Sequence, residues 1–132
     1  MLIDNTLFLR KRYPALREYF RKNEEEIRID KVEVIESKKG DITLQYLLED
    51  NQKLMVHSKY DPVREAERII LSHAEKINDD THVFFYGLGL GYHVEKFQEK
   101  FPNHTYSIYE PVPELFYVMS KQIDLQRIMT KN

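Results

Sequence analysis

The run Val83-Phe84-Phe85-Tyr86-Gly87-Leu88-Gly89-Leu90-Gly91-Tyr92-His93 constrains this chain more than any other stretch, because an apolar segment breaks there into alternating glycines and then resumes. Such a pattern turns a strand tightly into a helix. Without a Cβ, Gly87, Gly89 and Gly91 reach positive φ and let the backbone lie against a phosphate, a ribose or a neighbouring helix. They are three of the chain's 4 glycines. The next segment, Thr105-Tyr106-Ser107-Ile108-Tyr109-Glu110, reads as a second strand ending in an acid.

An acid roughly 20 residues beyond the glycines is where a Rossmann-type fold places its ribose-binding carboxylate. The spacing is G-x-G-x-G and departs from the G-x-G-x-x-G of dinucleotide dehydrogenases, which makes hydride chemistry the weaker reading. The shorter form resembles the first motif of S-adenosylmethionine-dependent methyltransferases, in which the acid after the second strand holds the ribose hydroxyls. On that resemblance Gly87, Gly89, Gly91 and Glu110 are candidate contacts for a nucleotide or S-adenosylmethionine. His93 joins them because it falls in the first turn of the following helix, close to where an anionic ligand sits, although a helix N-terminus also disfavours a protonated imidazole. The alternative is a purely structural turn, with Leu88 and Leu90 filling apolar gaps.

The remaining histidines, His57, His73, His82 and His104, show no H-E-x-x-H or comparable ligand spacing, so no metal site is expected. His73 falls on or near the apolar side of a helix and reads as a hydrogen-bonded core histidine. The chain has no cysteine, which excludes disulfides and thiolate metal sites and is compatible with a reducing compartment. Its formal net charge of −2, with acids and bases interspersed, offers no basic face for nucleic acid or an anionic membrane. No apolar run approaches the roughly 20 residues of a membrane span, and Met1-Leu2-Ile3-Asp4 does not open like a signal peptide, so a soluble, cytoplasmic protein is expected.

At 132 residues with 42% hydrophobic content, the chain is long enough for one modest core. Asn5 to about Asn23 has helical periodicity in Leu9, Tyr13, Leu16, Tyr19 and Phe20, and Pro14 either kinks this helix or opens a second one. From Ile27 to Ser58 the period changes to two, in Val32/Val34, Ile42/Leu44/Tyr46/Leu48 and Leu54/Val56, which predicts a three-stranded antiparallel meander. His57-Ser58-Lys59-Tyr60-Asp61-Pro62 then concentrates polar groups at a joint. Asp61 is a good N-cap and Pro62 suits the first helical position, while His57, Ser58 and Lys59 are candidate donors near the glycine turn. Val63, Ala66, Ile69, Ile70, Ala74 and Ile77 give the following helix an apolar face expected to pack on the sheet. Pro113 opens another helix with Glu114 in its first turn, and 124–129 predicts one more short helix.

The expected fold class is therefore mixed α/β: an N-terminal helix and antiparallel meander over 1–60, then an incomplete Rossmann-like βαβα unit over 61–132, in one compact domain. Only two parallel strands are visible where a doubly wound sheet has five or more. Either they join the meander as a mixed sheet, or the chain is part of a longer protein whose exposed apolar edge favours self-association.

Taken together, His57-Ser58-Lys59-Tyr60-Asp61-Pro62, Glu65-Ala66-Glu67, Phe85 to His93 and Ile108-Tyr109-Glu110-Pro111 resemble the N-terminal region of the motility-associated factor (Maf) glycosyltransferases, from the first helix to about Met119. The resemblance implies a protein of the flagellum system in which a nonulosonic acid passes from a CMP-sugar to serine or threonine hydroxyls of flagellin. It also implies that transfer chemistry belongs to a separate, sialyltransferase-like domain, so no catalytic residue is assigned here. Flagellin or the rest of the transferase chain is then the expected partner. Three readings stand: an accessory domain without turnover of its own, a nucleotide- or S-adenosylmethionine-binding module, and a protein-interaction domain. A complete methyltransferase is disfavoured, since no residues are left to build the later strands of that fold.

Overall fold

A computed structural model of the chain describes residues 1–129; residues 130–132, the end of the expected second unit, lie outside the described residues. Pro14 divides the N-terminal helical region in two: α1 runs Ile3–Arg12 and α2 runs Pro14–Asn23. Tyr13 between them is non-helical, with φ −138° and ψ 64°. A residue before proline is pushed out of the α region, and proline opens a helix readily because its missing N–H is not needed there.

The meander forms as its period of two requires. Strands β1 (Val32–Glu36), β2 (Ile42–Leu47) and β3 (Lys53–Met55) pair antiparallel, with Val32 opposite Tyr46 and Gln45 opposite Met55. Helix α3 (Pro62–His73) starts where expected, with the Asp61 carboxylate accepting from the Arg64 N–H at 3.0 Å. Its buried face is narrower than its apolar pattern suggested: Pro62, Ala66 and Ile70 are buried, whereas Ile69 is 46% exposed. The helix lies chiefly against α4 (Tyr92–Lys100) and not on a sheet. His73 is exposed at its C-terminal end, which corrects the expectation of a core histidine.

Strands β4 (Val83–Tyr86) and β5 (Tyr106–Tyr109) pair parallel across α4, with Phe85 opposite Ile108 and Tyr86 opposite Tyr109. They form their own two-stranded sheet and do not join the meander. A side chain ties the two halves: the Tyr92 hydroxyl donates to the Ile42 carbonyl, while within the meander half the Thr43 hydroxyl donates to that of His57 at 3.1 Å. The inner face of β4–β5 buries Phe85 and Tyr106 against Phe97 with edge-on ring contacts. The other face exposes Phe84, Tyr86 and Tyr109. Helices α5 (Pro113–Gln122) and α6 (Gln126–Met129) complete the described chain.

One buried polar side chain closes the fold end to end. Asn5 is fully buried; its amide group donates to the Ser120 and Ile123 carbonyls at 2.7 Å each, and its oxygen accepts from the Leu125 N–H at 2.8 Å. Asparagine supplies both donors and acceptor in one plane, so it satisfies backbone groups left over where α5 ends. Asn5→Ala is expected to lower unfolding free energy by at least about 2 kcal/mol, measured by denaturant titration; a loss within error would show that water replaces the amide.

Candidate functional site

The glycine turn sits at the carboxyl ends of β4 and β5, where open α/β sheets bind ligands. All three glycines have positive φ: Gly87 at 98°, Gly89 at 55° and Gly91 at 81°. Gly89 needs more than its dihedral, since a Cβ there would lie 2.4 Å from His57 Nε2 and 2.9 Å from a Val56 methyl. In contrast, a Cβ on Gly87 would meet nothing within 4 Å.

Every backbone N–H from Gly87 to Gly91 is already occupied by the protein. Gly87 donates to the Tyr109 carbonyl at 2.7 Å, and Gly91 to that of Leu88 at 2.9 Å. Leu88 and Gly89 both donate to Glu110 Oε1 at 3.1 Å. Leu90 donates to His57 Nε2 at 2.8 Å. A concave set of amides of this kind is an anion receptor, and here the anion is the protein's own Glu110 carboxylate. Its second oxygen accepts from the Val112 N–H at 3.3 Å. The structure therefore brings Gly87, Gly89, Gly91, His93 and Glu110 together, but joins Glu110 to the turn itself.

His93 Nε2 donates to the Gly87 carbonyl at 3.0 Å, which joins the first turn of α4 to the glycine turn. Of the joint residues only His57 reaches the turn. The Ser58 hydroxyl accepts from the N–H groups of Tyr60 and Asp61, and Lys59 lies over the Tyr60 ring. Accepting from Leu90 fixes His57 as neutral with its proton on Nδ1. Burial, with a smaller contribution from neighbouring His93, pushes the His57 pKa down to about 4. Burial also lowers the His93 pKa, opposed by its bond to Gly87 and by the charges of Glu110 and Glu65.

Beside the turn lies a cavity of about 420 Å³ between α2, β5 and α5. Tyr19, Phe20 and Phe116 wall it, with the Phe20 and Phe116 rings stacked on each other at 5.3 Å, and Leu88 and Ile108 also line it; among the described residues Glu110 is its one charged lining group. The α2 wall was not legible as part of a site, because no sequence signal connects residues 19–20 to a turn at 87–91. Among the described residues, no group of three or more His, Asp or Glu is placed to hold a metal ion, and no helix is long and apolar enough to cross a membrane.

Fold and turn define a partial Rossmann-like α/β domain with an internally occupied glycine turn. Residues 28–132, most of the chain, match the family model described as the glycosyltransferase Maf N-terminal domain, and the chain belongs to that family. Helix α1 and helix α2 precede the matched residues. No curated protein and no solved structure matches the chain significantly.

Two outcomes follow from this geometry. Gly89→Ala combines left-handed strain with a clash on His57 and is expected to cost more than about 2 kcal/mol, whereas Gly87→Ala, with open space around it, costs about 1 kcal/mol; equal losses in denaturant melts would remove His57 as the reason for Gly89. A histidine held neutral below its free pKa of 6.5 stabilises the fold above that pH. The unfolded chain takes up a proton first on acidification, so stability falls from about pH 6.5 to about pH 4, by roughly 3 kcal/mol. Unfolding free energies across that range should show this fall, and His57→Gln, which keeps an acceptor for Leu90, should flatten it.

Proposed function

We propose that this chain is the N-terminal accessory domain of a transferase that passes a nonulosonic, sialic-like acid from its CMP-activated form to serine or threonine hydroxyls of flagellin in the cytoplasm, and that it does not catalyse transfer by itself. The observation that carries the second half is the occupied turn. Transfer from a CMP-sugar needs donors or cations around the departing phosphate and a base for the acceptor hydroxyl. In this chain the turn's amides face Glu110 and His57, and the His57 Nε2 lone pair is engaged by Leu90. Family membership supports the first half. Its partners on this reading are flagellin or the rest of the transferase.

Incubating the chain with a CMP-nonulosonate and unmodified flagellin should leave the flagellin mass unchanged. A mass increase of one nonulosonic acid per modified hydroxyl would overturn the non-catalytic assignment.

A further inference from the structure

The cavity beside the turn is large enough for a ligand, and its chemistry is selective. At about 420 Å³ it falls within the usual small-molecule range of about 300–1,000 Å³. Among the described residues its walls are apolar and aromatic, no lysine or arginine lines it, and its one ionic group is an acid. That acid is held rigidly: Glu110 Oε1 accepts two backbone N–H groups and Oε2 accepts one. An oxygen of a carboxylate accepts about two hydrogen bonds, so Oε2 has capacity for one more donor.

We propose that this cavity binds the nucleoside part of a ligand, with its base against the aromatic walls of Tyr19, Phe20 and Phe116 and a sugar hydroxyl donating to Glu110, and that it rejects a phosphate at the turn. The rejection follows from the same bonds. A phosphate at the turn would find the N–H groups of Leu88, Gly89 and Leu90 already engaged and a carboxylate where an anion would sit. A hydroxyl meets the opposite situation, because a carboxylate whose geometry is fixed by backbone donors is a preorganised acceptor. The half-exposed Tyr19 ring offers the base a stacking face, whereas Phe20 and Phe116, buried and stacked on each other at 5.3 Å, offer it edge contacts. The site thereby inverts the usual division of labour in such folds, in which the glycine turn grips phosphate.

Calorimetric titration of the chain with adenosine, cytidine, AMP and CMP tests this. At least one nucleoside is expected to bind with a Kd below about 100 μM, and its 5′-monophosphate at least about tenfold more weakly. Tyr19→Ala is chosen because Tyr19 is 44% exposed, so its loss spares the core. It should weaken nucleoside binding at least about threefold with an unchanged thermal midpoint. Glu110→Gln, whose amide oxygen still accepts from the turn, should weaken it about tenfold. Absence of nucleoside binding at millimolar concentration, or tighter binding of the monophosphate, would overturn the proposal. Neither result bears on flagellin modification, which is read by a different assay.

Discussion

The Glu110 carboxylate against the amides of Leu88 and Gly89 is the interaction on which the second half of the molecule rests. A turn with three positive-φ residues leaves backbone donors pointing into one small volume, and buried donors without partners cost about 1–3 kcal/mol each. Something must fill that volume, and in this chain two side chains do. Glu110 comes from the end of the neighbouring strand, so filling the turn also fixes the register of β4 on β5. His57 comes from the end of the meander, so the bond to Leu90 fastens the antiparallel half to the parallel half.

That second bond joins two sheets that share no ladder. The Tyr92 hydroxyl on Ile42 reinforces the same seam, and the Thr43 hydroxyl anchors His57 within the meander half; each uses a side chain to satisfy a backbone carbonyl. Asn5 does the equivalent at the far end, where it bridges α1 to the chain after α5. Buried Asn5 and His57 are thus joints between elements. Parallel strands are ordinarily covered on both faces; here one face of β4–β5 is covered and the other carries exposed Phe84, Tyr86 and Tyr109.

Much of this is legible along the chain. Pro14 as a helix start, Asp61 with Pro62 as a capped start, the period-two strands and the strand–glycine–helix run all appear where the residues placed them. The outcome differed where a side chain's surroundings came from elsewhere. His73 looked apolar by spacing yet ends α3 in solvent, and Ile69 belongs to an apolar pattern wider than the stripe that α4 covers.

The glycine turn draws the line most clearly. Its conformation is a local matter: alternating residues without Cβ permit positive φ, and that steric permission needs no other part of the chain. The acid was visible as a candidate by its spacing beyond the glycines, and His93 by its place in the first turn of the next helix. What fills the turn is set by residues 21, 22 and 33 positions away, and what closes the fold by a residue 120 positions from its partner. Spacing placed Glu110 and His57 near the turn, but it did not report that they bond to the turn's own amides. The local backbone and its periodicity were therefore determined by the sequence itself, whereas the closing of Glu110 and His57 onto the turn's own amides, the cavity beside it and the latch at Asn5 were decided only when the chain folded back and those buried donors found their acceptors.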